Sequence, residues 1–232
     1  SGHMTFPGAA GPVRPLIMSR ISIKICGLST PETLDAALKG GASHVGFVHF
    51  AKSPRHVAVE RLGQLVARVP GHVMKVGVVV NPDDATVDML VGSGQLDALQ
   101  LHGSEPPARL LAIRARFPAL ELWKAIPVKT AADIAGAAPY NQVADLVLFD
   151  AKTLDHADLP GGMGLRFDWT LLSEYRAPGP WGLSGGLDPA NVPEAVRVTS
   201  APLVDVSSGV ESAPGIKDVD KIRAFCKAVQ SL

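Results

Sequence analysis

Cysteine is scarce in this chain: Cys26 and Cys226 are the only two in 232 residues. A disulfide framework is excluded, the fold must rest on a hydrophobic core, and a reducing cytoplasm is the expected setting. Charge of one sign is absent as well, since Lys plus Arg and Asp plus Glu each number 22. Without a basic excess a nucleic-acid partner is not expected. A small anion remains open, because backbone N–H groups bind one without net charge. No apolar run approaches the ~18 residues of a membrane span, so no membrane partner is expected. Metal-ligand spacing is missing, as is a dinucleotide fingerprint after the first strand.

What is present is alternation. From Ile21 onward, short apolar runs alternate with amphipathic ones. Strands are expected at 22–26, 44–50, 74–80, 97–101, 121–126, 146–150, 181–184 and 203–206. Most are continuous apolar runs, as in strands buried on both faces of a parallel sheet. Helices are expected at 30–40, 58–69, 83–92, 105–117, 130–138, 167–176, 189–199 and 217–230. Ser29 and Glu32 have capping-box spacing around Pro31, and Gly40-Gly41 reads as the stop. Eight strands alternating with eight helices predict an α/β fold, a single (β/α)8 barrel of parallel strands over residues 21–232. An open doubly wound sheet is the rival. Ser1–Met4 reads as a cloning remnant and residues 5–20 as a loose leader.

In a barrel, chemistry gathers where strands end. Cys26 closes the first strand before a glycine turn and a helix start, a place that favours a thiolate, although a lone cysteine is as often core. Cys226, beside Phe225 in the last helix, reads as structural. Asp150 closes the run Leu146–Asp150. A carboxylate there is costly unless solvated or paired; it is either a loop cap or a general acid. In Lys52-Ser-Pro-Arg55, Arg55 is suited to grip a carboxylate with two N–H groups. In Gln100-Leu-His-Gly103, His102 would point into the same mouth. Three glycine loops follow strands 6, 7 and 8, with Gly162, Gly185, Gly186, Ser208 and Gly209 as candidate phosphate ligands. Trp123, Trp169 and Trp181 read as core aromatics.

Taken in order, these segments resemble the phosphoribosylanthranilate isomerase family. The matches are Lys24-Ile-Cys-Gly-Leu28, Val45-Gly-Phe-Val48, Lys52–Arg55, Val76–Asn81, Leu99–Gly103 and Leu148–Asp150. They continue through Gly161-Gly-x-Gly164, Phe167-Asp-Trp169, Leu183–Asn191 and Val204–Asp218. The resemblance runs from about residue 22 to the C-terminus. It departs at Met163, where a small hydroxyl residue is usual. It implies a (β/α)8 barrel performing an Amadori rearrangement on a small phosphorylated substrate, in tryptophan biosynthesis. Cys26 would be the general base, Asp150 the general acid, and Arg55 would lie near the anthranilate end. The glycine loops would hold the phosphate. The substrate's own nitrogen serves as electron sink, so no cofactor and no metal are expected. A monomer is expected, with a dimer as the alternative. Two other readings stay open: a Schiff-base aldolase using Lys24, and a barrel that binds phosphosugars without catalysis.

Overall fold

The computed structural model describes residues 20–92, 95–151 and 166–232. Eight parallel strands form a closed barrel in chain order. They are β1 (Ser22–Cys26), β2 (His44–Val48), β3 (Met74–Val79), β4 (Ala98–Leu101), β5 (Glu121–Val128), β6 (Leu146–Ala151), β7 (Trp181–Leu183) and β8 (Leu203–Val206). Closure lies between β1 and β8, paired from Ser22↔Leu203 to Ile25↔Val206. The ring excludes the open sheet. Because every strand runs the same way, all eight carboxyl ends share one mouth.

The two-residue period of each strand sorts its side chains. Ile23, Ile25, Val45 and Phe47 join the large cluster between barrel and helices. Their neighbours turn inward. Trp123 fills the lower lumen with Val76, Ala98, Leu146, Leu148 and Leu203, while Cys26, Val48 and Val78 form a smaller group with Phe50. Both faces are buried, which is why the strands read as continuous apolar runs.

The helices are α1 (Pro31–Gly40), α2 (Val59–Val66), α3 (Asp84–Val91), α4 (Pro107–Arg116), α5 (Ala131–Ala135), α6 (Ala138–Asn141), α7 (Val192–Thr199) and α8 (Val219–Gln230). The cap of α1 is Thr30 rather than Ser29; its hydroxyl accepts from the Thr33 N–H. Gly41 ends α1 at φ 93°, a left-handed turn that suits glycine. Cys226 is structural, as expected: a Cβ on Gly40 would fall 2.9 Å from its sulfur, so α8 lies tight on α1. No helix among the described residues is long and apolar enough to cross a membrane.

Three expected elements differ. The helix expected at 130–138 is two short ones, α5 and α6, separated at Gly136 and Ala137. The helix expected at 167–176 is a single 3-10 turn, Trp169–Leu172. Asp168 ties that turn by accepting from both the N–H and the hydroxyl of Thr170. Pro178 and Pro180, which lack N–H groups, follow soon after. Finally, β9 (Glu211–Ala213) and β10 (Ile216–Lys217) form an antiparallel hairpin where a loop and, at Lys217, the start of the last helix are expected. Gly215, at φ 80°, makes its turn.

Outside the ring, a buried ion pair ties the loops after β3 and β4. Lys124 Nζ lies 2.9 Å from Glu105 Oε1 and donates to the Gly103 carbonyl at 2.7 Å. Glu105 in turn accepts from the N–H groups of Asn81 and Gly103. Removing one partner strands a buried charge. Glu105→Ala should therefore cost about 3–5 kcal/mol in urea unfolding. Glu105→Gln, which keeps a carbonyl for the N–H groups, should cost less. A loss below about 1 kcal/mol for Glu105→Ala would mean that the pair is solvated.

Candidate active site

Cys26 points into the lumen at the end of β1, in register with Gly46 of β2. A Cβ on Gly46 would lie 2.8 Å from the Cys26 sulfur, so glycine there makes room for the thiol. Gly27 follows at φ 80°, and a Cβ there would meet Arg55, Ser207 and Lys217 within 2.7–3.2 Å. This glycine lets three side chains close over the chain beside Cys26.

Two buried charge groups flank Cys26, and those three side chains belong to the second. Beneath Cys26, Lys24 Nζ is 3.0 Å from Asp205 Oδ1, and Ser184 donates to Asp205 Oδ2 at 2.8 Å. Lys24 also sits 5.8 Å from the centre of the Trp123 ring. Beside Cys26, Arg55 grips Glu211 with Nε at 2.9 Å and Nη2 at 2.5 Å. Lys217 Nζ reaches the same carboxylate at 2.8 Å and the Ser207 carbonyl at 3.0 Å. Among the described residues, the cations Lys24, Arg55 and Lys217 and the carboxylates of Asp205 and Glu211 therefore surround the thiol.

Burial and charge compete at each of these groups. Burial pushes the Cys26 thiol up; Lys24 and Lys217 pull it back only in part, and Asp205 adds to the rise. The thiol therefore stands above its ordinary value, and the strand-end setting alone does not make it a thiolate. Burial opposes the charge of Lys24 too, but Asp205 and the Cys26 sulfur prevail and hold it above the usual lysine range. Lys24 is fully buried and bonded to Asp205, the arrangement of a paired ammonium rather than of the free amine a Schiff base needs. Burial lowers Lys217 against the pull of Glu211. Glu211 resists its own burial because Arg55 and Lys217 hold its carboxyl low.

Asp150 lies on β6, inward like Leu146 and Leu148, and opposite Pro127 in the register with β5. His102, one residue past β4, places Nε2 2.9 Å from Asp150 Oδ2. The two are in hydrogen-bond contact across the mouth. Asp150 is paired, which answers the cost of a carboxylate on an apolar strand.

The glycine loops after β7 and β8 interlock. Gly185 and Gly186 have φ of 90° and 69°. A Cβ on Gly185 would fall 2.4 Å from the Ala151 nitrogen and 2.7 Å from Asp150 Oδ1. A Cβ on Gly209 would fall 1.8 Å from the Leu187 carbonyl oxygen, so no side chain fits where the loops cross. Asn191 braces the first loop, donating to the Gly186 carbonyl and accepting from the Asp188 N–H, each at 2.8 Å. Among the described residues, no backbone group accepts from the N–H of Gly186, Ser208 or Gly209. Gly162 lies outside the described residues.

The structure thus gathers Cys26, Arg55, His102, Asp150, Gly185, Gly186, Ser208 and Gly209 at one end of the ring. Arg55 differs in its partner: the carboxylate it grips belongs to Glu211. Asp205, Glu211, Lys217 and Gln100 had been given no role. Their spacing carries no local signal, since Lys24 and Asp205 are 181 residues apart and Arg55 and Glu211 are 156 apart. Gly182-Leu-Ser-Gly-Gly186 fits the spacing of a serine nucleophile elbow, but Ser184 is bonded to Asp205 rather than to a histidine.

The family model for N-(5′-phosphoribosyl)anthranilate (PRA) isomerase matches residues 23–228. An N-(5′-phosphoribosyl)anthranilate isomerase from Zymomonas mobilis subsp. pomaceae is 54% identical over 212 residues, covering 91% of this chain and 99% of that protein. One from Paramagnetospirillum magneticum is 52% identical over 210 residues, covering 90% and 97%. The crystal structure of the Thermotoga maritima phosphoribosyl anthranilate isomerase superposes with a TM-score of 0.82 at 37% identity, covering 91% of this chain and all of that one. A second phosphoribosyl anthranilate isomerase, solved with reduced 1-(o-carboxyphenylamino)-1-deoxyribulose 5-phosphate, gives 0.79 at 35% identity, with the same coverage. With this fold, these strand ends and these relatives, the chain belongs to the N-(5′-phosphoribosyl)anthranilate isomerase family.

Proposed function

We propose that this chain converts N-(5-phospho-D-ribosyl)anthranilate into 1-(2-carboxyphenylamino)-1-deoxy-D-ribulose 5-phosphate, with Asp150 as general acid and Cys26 as general base. The observation that carries this reading is the placement of one carboxyl and one thiol on inward-facing ends of β6 and β1, at the mouth that also holds the bare glycine loops. Ring opening needs a proton on the ribose ring oxygen, which Asp150 gives. The substrate nitrogen then forms an iminium, and the proton on C2′ becomes acidic. The Cys26 thiolate takes that proton, leaving an enolamine. The enolamine takes a proton at C1′ while its C2′ hydroxyl gives one up, which leaves the ketone; the proton gained by Cys26 and the one lost by Asp150 are exchanged with solvent. No net redox change occurs.

The buried charges fit this role. A thiolate at Cys26 is favoured by the charges of Lys24 and Lys217 beside it. In the free enzyme the raised thiol makes that thiolate a minority form near neutral pH. The anthranilate end of the substrate would approach Arg55, which lies against Gly27. The 5′-phosphate would take the N–H groups of Gly186, Ser208 and Gly209, with Gly185 keeping the approach open.

Cys26→Ala should keep the parent's unfolding midpoint and lose about two to four orders of magnitude in kcat, followed by loss of anthranilate fluorescence. Turnover at the parent rate would remove Cys26 as base. Asp150→Asn should bind a reduced product analogue nearly as tightly as the parent and fail to open the ring; retained turnover would move the acid elsewhere.

The thiol itself has a signature in pH. Alkylation at Cys26, read by mass spectrometry, should be slow at pH 7 and should speed up about tenfold per pH unit up to pH 9, because only the thiolate reacts. A rate already flat above pH 7 would contradict the raised thiol. Gly186→Val should raise KM far more than it lowers kcat, since its φ of 69° disfavours a β-branched residue and its methyls would crowd the phosphate. An unchanged KM would place the phosphate elsewhere.

A further inference from the structure

Three side chains stand in line across β4 and β6. Gln100, buried on β4, places Nε2 2.9 Å from Nδ1 of His102. The other ring nitrogen of His102 lies 2.9 Å from Asp150 Oδ2. An amide nitrogen donates and does not accept, so His102 Nδ1 must be the acceptor. A neutral imidazole carries one ring hydrogen, which is then on Nε2 and is donated to Asp150 Oδ2. With Oδ2 occupied as an acceptor, a carboxyl proton on Asp150 belongs on Oδ1. That oxygen lies beside Gly185, at the spot that the glycine keeps bare of side chain.

We propose that Gln100 is a positioning residue for the isomerisation. By holding His102 as the Nε2–H tautomer, it assigns the transferable proton to Oδ1 of Asp150; this rests on Asp150 being the acid. The proton balance is simple. Oδ1–H goes to the ribose ring oxygen, and the carboxylate left behind keeps its bond from the Nε2–H of His102. Nothing moves along the line; it only fixes which oxygen is armed. The Gln100 carbonyl oxygen, Oε1, is buried without a hydrogen-bond partner. Turning the amide around would bring Oε1 to Nδ1 and force the hydrogen onto Nδ1. The Nε2 lone pair would then face Oδ2, and an acid proton would be aimed at the imidazole rather than toward Gly185.

Ring-15N-labelled histidine in the full chain reads the tautomer directly, with His102→Asn identifying its signals among the seven histidines. The parent should show His102 hydrogenated at Nε2 and bare at Nδ1. Gln100→Glu, which offers an acceptor in place of the donor, should put a hydrogen on Nδ1. Its kcat should fall by about ten- to a hundredfold, the usual cost of removing an outer hydrogen-bond partner, while KM changes less than about threefold. Gln100→Leu keeps the volume without a buried charge and should lose about tenfold in kcat at nearly constant KM. A hydrogen on Nδ1 in the parent, an Nδ1 that stays bare in Gln100→Glu, or parental kcat in Gln100→Leu overturns the proposal. A live Asp150→Asn variant overturns the acid assignment, and with it the destination of the proton, whereas the ring spectra judge the Gln100–His102 bond without reference to activity.

Discussion

The salt bridge between Lys24 and Asp205 lies where the barrel closes. The two residues face each other in the register of β1 and β8, the strands that join the first turn of the chain to the last. The neighbouring seam is thin: β7 meets β8 through the single registered pair Leu183↔Val204. Ser184 adds a side-chain bond there by donating to the other oxygen of Asp205. One carboxylate therefore joins three strands from inside the lumen. Such a pair is costly to desolvate and gains little over an apolar core. Its value here is positional, because Lys24 stands two residues before Cys26 and is the charge that most opposes the rise of the buried thiol.

The rest of the mouth is arranged around that constraint. A thiol in a dry lumen resists ionisation, so positive charge must approach it without leaving other charges unpaired. Arg55 and Lys217 do this by sharing Glu211. Glycine supplies the space: Gly46 clears the sulfur, Gly27 admits the cations, and Gly185 clears one oxygen of Asp150. On the far side of the ring, Lys124 and Glu105 brace the loop that carries His102. Asp150 and Cys26 thus have unlike surroundings, a hydrogen-bonded imidazole for one and a cationic pocket for the other.

Much of this was legible in sequence, and for a physical reason. Strands buried on both faces must be continuously apolar, so their number and order stand out, and with them the barrel. Cys26, His102 and Asp150 are visible as reactive side chains that interrupt or end those runs. Pairings across the barrel are not visible. Lys217 looks like the start of a helix, and only the hairpin of β9 and β10 turns it toward Glu211 and Cys26. The segment 167–176 has the composition of a helix, yet Asp168 commits it to a short turn. The strand end marks Cys26, but the burial that pushes its thiol up is a property of the closed ring and has no signal in the strand.

The central claim is that acid and base work on one sugar from opposite sides. A crystal structure of this chain with the reduced product analogue tests it most directly. The account predicts the Cys26 sulfur against C2′, Asp150 Oδ1 within hydrogen-bond reach of the oxygen that closed the ribose ring, and the phosphate on the N–H groups of Gly186, Ser208 and Gly209. An analogue bound with C2′ away from Cys26, or with Asp150 and Cys26 on the same face of the sugar chain, would contradict it.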